Sequence, residues 1–176
     1  GEERPEEGLN KEQRKKKKIL MDEQKKVTNE FRRNFIEGNL VEKQTILYGL
    51  GRTTRYIIST FPEFPVIGLL DGTLSNGFFC EKPILEIEDL SNKDVRIIVL
   101  ARKASEKIIY NRICDFCKQY NIEIYNIHGV NLEELFSKNP KNDAYFTVNE
   151  KLIKDILNPY HYISFDIFGT LLERKL

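Results

Sequence analysis

The chain has 176 residues, enough for one domain with a buried core. Hydrophobic residues make up 40% and charged residues 31%, and the net charge is only +1, so the molecule as a whole is not a generic binder of polyanions. No apolar run approaches the ~20 residues that span a bilayer, Gly1-Glu2-Glu3-Arg4-Pro5 carries no apolar signal core, and three cysteines form no disulfide framework. The expectation is a cytoplasmic protein with no membrane partner.

Residues 1–43 read as a charged leader. Glu2, Glu3, Glu6 and Glu7 come first, and the basic run Arg14-Lys15-Lys16-Lys17-Lys18 follows. Val27, Phe31 and Phe35 are spaced to line one helix face. A helix is therefore expected over about residues 11–37, stopped at Gly38-Asn39. Its first half should be solvated. Its second half should dock on the module that follows or on a second copy, so self-association through this helix is an expected partner mode. The lysine run has no interleaved aromatic residues. It reads as a solvated helix face, with contact to nucleic acid or an anionic membrane as the lesser alternative, and the missing aromatics argue against a single-strand nucleic-acid platform.

Residues 44–130 alternate short apolar runs with helical stretches. Thr45-Ile46-Leu47-Tyr48 leads into Gly49-Leu50-Gly51, and a helix follows over 53–60. Val66-Ile67-Gly68-Leu69-Leu70 is a second buried-type strand ending at Asp71-Gly72, and Ile84-Leu85 after Pro83 begins a short third strand or a turn. A helical turn is expected over 86–90, a strong strand over 95–100, a helix over 105–120 and a last strand over 123–127. Strands alternating with helices imply a parallel sheet with right-handed crossovers. The fold class expected is α/β: a small Rossmann-like parallel sheet flanked by helices, with a charged N-terminal helix.

The turn Tyr48-Gly49-Leu50-Gly51-Arg52-Thr53-Thr54 sits between strand and helix. Gly49 would allow the tight turn, Gly51 would let a phosphate approach the backbone, and the helix N-terminus would supply N–H groups and the positive dipole end. Arg52 and the hydroxyls of Thr53 and Thr54 would add donors. Thr54 stands where G-x-G-x-x-G has its third glycine, which implies looser helix–strand packing. Asp71, about twenty residues on, is placed to accept from ribose hydroxyls. Arg102 and Lys103 follow the strand at 95–100, where ligands of open α/β sheets lie, and Ser105 would cap the next helix or touch ligand. The alternative is plain: glycines and Asp71-Gly72 that only make turns, and a solvated basic loop.

These segments, with Pro83-Ile84-Leu85 and Arg96-Ile97-Ile98-Val99-Leu100, resemble the small N-terminal Rossmann domains of bacterial sugar acyltransferases and related surface-polysaccharide proteins. The resemblance covers about half the chain. It implies a nucleotide or nucleotide-sugar ligand on Gly49, Gly51, Arg52, Thr53, Thr54, Asp71 and Arg102.

Residues 131–158 read as a linker and a helix capped by Asn149, and residues 159–176 as the start of a second domain. Ile163-Ser164-Phe165-Asp166-Ile167-Phe168-Gly169-Thr170 resembles the first motif of the haloacid dehalogenase-like (HAD) hydrolases. That resemblance implies Asp166 as a carboxylate nucleophile, Thr170 as the motif threonine, and Mg²⁺ as cofactor in a longer parent chain. Phe168 stands where phosphatases of that superfamily carry a second aspartate. Asp166 has no partner motifs within the sequence, so catalysis is expected only if a longer parent completes the site. Cys114 and Cys117 fall mid-helix and read as core thiols, with no metal set implied. His128 reads as a loop residue or a general base. Three functions remain open: a nucleotide or nucleotide-sugar binding module, the N-terminal part of a HAD-like hydrolase, and a Rossmann-shaped interaction scaffold without ligand. An NAD-dependent oxidoreductase is disfavoured because no substrate domain follows.

Overall fold

The computed structural model describes residues 8–137 apart from Asn39 and Val41. The helix expected after Asn149 and the Asp166 motif lie outside the described residues.

The leader forms a helix, α1 (Lys11–Phe31), prolonged by a wider π turn over Arg32–Ile36. Its start is a capping box. Asn10 Oδ1 accepts from the Gln13 N–H and Gln13 Oε1 from the Asn10 N–H, each at 2.9 Å. Residues 11–23 are exposed, whereas Thr28, Phe31 and Phe35 are buried. The helix is thus free in its first half and anchored in its second, as its apolar spacing predicts.

Four strands form one parallel sheet: β1 (Gln44–Tyr48), β2 (Val66–Leu70), β5 (Val95–Val99) and β6 (Glu123–Asn126), in the order β2-β1-β5-β6. The β1–β5 register runs Gln44↔Val95 to Tyr48↔Val99 without interruption. The β1–β2 register slips between Thr45 and Ile46. Between β2 and β5 lie a hairpin, β3 (Phe78–Phe79) and β4 (Lys82–Pro83), and a 3₁₀ turn over Ile87–Leu90. The short third strand expected after Pro83 is reduced to one parallel bridge, Leu69↔Ile84, with the Leu85 N–H donating to Leu69 O at 2.8 Å. Gly68 permits that approach, because a Cβ there would meet Leu85 Cδ1 at 2.5 Å.

The remaining helices are α2 (Arg52–Thr60), α3 (Lys103–Gln119) and α4 (Leu132–Ser137). One face of the sheet carries α1 and α2, around Phe31, Phe35, Leu47, Ile57, Leu69 and Ile98. The other carries α3, α4 and the 3₁₀ turn, around Ile46, Leu70, Leu90, Ile97, Ile109 and Ile113. Burial on both faces explains why the strands read as continuous apolar runs. The α4 helix was not expected. Its start is held by Asn131, whose side-chain oxygen accepts from the Glu133 and Glu134 N–H groups at 3.0 and 3.3 Å.

One buried side chain breaks the apolar pattern. Arg96 in β5 is 2% exposed. Its Nε donates to Thr45 Oγ1 at 3.0 Å, and its guanidinium lies 5.5 Å from the Phe35 ring centre and 5.7 Å from that of Phe64. Burial pulls its pKa down, opposed by the charges of Tyr125, Glu123 and Glu42.

Candidate functional site

The direction of chain travel reverses at β1. From β1 the chain crosses to β2 on one side and returns to β5 on the other, so α2 and α3 lie on opposite faces. A crevice opens at such a switch point, between the carboxyl ends of the two strands. Here its walls are the loops Gly49–Gly51 and Leu100–Arg102. They touch: the Leu100 N–H donates to Tyr48 O at 2.9 Å, and a Cβ on Gly49 would lie 3.0 Å from Leu100 O.

The two glycines of the turn differ in kind. Gly49 has φ +125°, a backbone state that other residues rarely adopt, and it faces Leu100 closely. It is a structural glycine. Gly51 has φ −96° and ψ −171°, open to any residue, and a Cβ there would meet nothing within 4 Å. It is the N-cap of α2 and supplies no side-chain cap.

Thr54 lies directly below this turn and is fully buried; its hydroxyl donates to Gly49 O at 2.7 Å. The expected looser packing is therefore corrected, because the threonine ties helix to turn. Its hydroxyl is also unavailable to a ligand. Thr53 is half-buried and Arg52 exposed. Arg52 Nη1 stands 3.7 Å from Glu23 Oε2 of α1, both exposed.

Asp71 follows β2 directly. Its Oδ2 accepts from the Thr73 N–H at 3.0 Å, the Thr73 hydroxyl at 2.9 Å and the Leu74 N–H at 3.1 Å. Partial burial raises its pKa, but the hydrogen bonds from Thr73, Leu74 and Gly72 outweigh this, and the carboxyl sits below its ordinary value. Arg102 is the exposed N-cap residue of α3, and Lys103 the exposed first residue of that helix. Ser105 does not cap α3, which begins two residues earlier than expected. Its N–H donates to Arg102 O at 2.8 Å.

His128, after β6, pairs through Nδ1 with Glu30 Oε1 of α1. Cys117 is buried, its thiol pushed up to about 12 by burial and by neighbouring Cys114 and Glu133. That makes it a core thiol rather than a nucleophile. Among the described residues no group of three His, Cys, Asp or Glu side chains is placed to hold a metal ion, and no helix is long and apolar enough to cross a membrane.

Sequence reasoning passed over two residues at this edge. Arg112 of α3 donates from Nη1 to the Tyr48 hydroxyl at 2.9 Å, joining positions 64 residues apart. Glu106, in the first turn of α3, is 4% exposed and accepts from Asn126 Nδ2 at 3.4 Å. The signal for Glu106 was an acidic residue in a helix first turn. Arg112 had only its helical spacing.

Comparison with protein-family models, with curated proteins and with solved structures finds no match to this chain.

Proposed function

We propose that the crevice holds a phosphate-bearing ligand, a nucleotide or nucleotide-sugar, and that the module serves binding rather than catalysis. The observation that carries this reading is Gly51. Its backbone needs no glycine and its surroundings need no glycine, yet it opens α2 at the switch point. A side chain there would occupy the space a phosphate takes against the first N–H groups of the helix.

The charges around it agree. Helix N-termini ordinarily recruit acidic side chains, but α2 has none in its first turn and begins with Arg52. Arg102 and Lys103 stand at the N-terminus of α3. At α3 the first turn also holds the buried Glu106, so the uncompensated helix start is that of α2, where an anion would offset the cost of Arg52 against the dipole. The proposal assigns backbone contacts to Gly51, Arg52, Thr53 and Thr54, charge to Arg52 and Arg102, and ribose contact to Asp71. The resemblance around Asp166 supports association with a HAD-like hydrolase domain, with Mg²⁺ in its complete site and a role in surface-polysaccharide metabolism.

The test is Gly51→Asp. An aspartate is a good N-cap, so the variant should fold at least as stably as the parent. It should nonetheless lose all thermal stabilisation by nucleotides and nucleotide-sugars, which at ~100 times the dissociation constant amounts to about 2.7 kcal/mol. Equal stabilisation of parent and variant ends the reading. No stabilisation of the parent by any such ligand leaves an interaction scaffold.

The proposal also includes contact between copies through the free half of α1. Ile19, Leu20 and Met21 there are 57%, 39% and 49% exposed, on a helix with no other element to cover them among the described residues.

A further inference from the structure

Beside the glycine turn, on the α3 side of the sheet, lies a cleft of about 400 Å³. That is within the ordinary range of small-ligand sites. Its lining joins Leu70, Leu74, Leu85 and Ile87 to the charged Asp71 and Arg112. Resting on the phosphate reading above, we propose that this cleft takes the base of the ligand and that Arg112 selects bases presenting carbonyl acceptors, guanine or uracil, over adenine.

Three observations carry this. First, the guanidinium is fixed in place but not neutralised. Nη1 donates to the uncharged Tyr48 hydroxyl. Asp71, Glu86 and Glu88 line the same cleft, yet Arg112 forms no ion pair among the described residues. Two of these acids are partly engaged elsewhere: Asp71 Oδ2 holds the turn at Thr73 and Leu74, and the Glu86 side chain caps the 3₁₀ turn; Glu88 is exposed. A guanidinium has five N–H donors and no acceptor, so most of its donors remain for a ligand.

Second, Gly72 makes room for it. A Cβ there would stand 2.5 Å from Arg112 Nη1 and 3.8 Å from the Tyr48 hydroxyl. Gly72 is absent from the glycines with positive φ, so the close approach of Arg112 accounts for it where the backbone does not. Third, the neighbours fit. Tyr48 precedes the phosphate turn directly, and Asp71 is the proposed ribose contact, so a base continuing from the ribose meets the apolar walls with Arg112 at its edge. Guanine offers O6 and N7 together to an arginine, and uracil offers carbonyl oxygens. Adenine offers N7 beside an amino donor, which a donor-only group cannot pair.

Titration calorimetry of the full chain with UDP, GDP, ADP and inorganic pyrophosphate tests this. UDP or GDP should bind at least about tenfold tighter than ADP, the discrimination of one good arginine–base contact. Which of the two binds tighter identifies the base. Arg112→Gln should erase the preference while weakening pyrophosphate far less than it weakens UDP or GDP. Gly72→Ala should do the same without altering the backbone, by displacing the guanidinium. Persistence of the preference in both variants overturns the assignment, as does equal binding of all three nucleotides by the parent. Pyrophosphate binding without base discrimination removes the subsite and leaves the phosphate site. Failure of pyrophosphate as well removes both.

Discussion

At the scale of single residues, the turn at the crevice separates what the backbone demands from what a ligand would. Gly49 is held at φ +125° with Leu100 O against it. Gly49→Ala should cost about 1–3 kcal/mol, the range for a non-glycine residue forced into such a state. Urea denaturation checks this, and a cost under about 0.5 kcal/mol would mean the turn relaxes freely. Asp71 makes a second prediction, in pH. Its folded pKa lies below the ordinary 3.8, so the folded state favours the carboxylate. The stabilisation is therefore present above about pH 4 and lost as pH falls through the depressed value. Asp71→Asn should remove this acid-side component, leaving a flatter stability profile below pH 4. An unchanged profile would mean that the hydrogen bonds from Thr73 and Leu74 do not form in solution. Residue-scale contacts were also the least legible in the sequence. The Asp71 turn could be read, because an aspartate followed by glycine is a local signal. The Tyr48–Arg112 bond and the burial of Arg96 could not. Each depends on which strand lies beside which, and Arg96 occupies a position where a charged residue would ordinarily point to water.

At the scale of elements, the four sheet strands and three of the helices followed from pattern, because strands buried on both faces and helices with one apolar face leave different periods. The β3–β4 hairpin left none. Each of its strands is two residues long, and its turn places Cys80 and Glu81 at φ 48° and 62°, where glycine or asparagine would have announced it. The α4 helix is six residues long and too short for a period, although Asn131 ahead of two glutamates was a readable start. The docking of α1 is the clearest energetic claim at this scale. Phe31 is fully buried, with ring centres of Phe35, Phe61 and Phe64 at 5.0, 5.6 and 4.9 Å. Phe31→Ala should destabilise the module by about 3–5 kcal/mol. A loss below about 1 kcal/mol in chemical denaturation would make α1 an appendage rather than part of the core.

At the scale of the whole molecule, charge is distributed far less evenly than a net +1 suggests. Residues 11–26 hold eight lysines and arginines against three acidic residues, and two of those acids are paired, Glu12 with Lys16 and Glu23 with Arg52. Two copies meeting through Ile19, Leu20 and Met21 would bring like charges together. Association should therefore strengthen as salt screens the lysines, the reverse of what ion pairing between copies would give. Sedimentation at low and high ionic strength checks this. A single monomeric mass under both conditions, at concentrations up to about millimolar, would retire the proposed contact.

The two ends of the sheet bear on the same question. Beyond β2, a single bridge to Ile84 and the Leu85 N–H bond occupy the outer edge, with Pro83, which has no N–H to offer, just before them. Beyond β6, Asn131 bridges Tyr125 and the Asn126 N–H donates to Val130 O at 3.0 Å. Each edge is thus blocked by a scrap of chain too short to count as a strand. A sheet blocked in this way offers little template for strand-by-strand growth, the usual route from an open parallel sheet to aggregation.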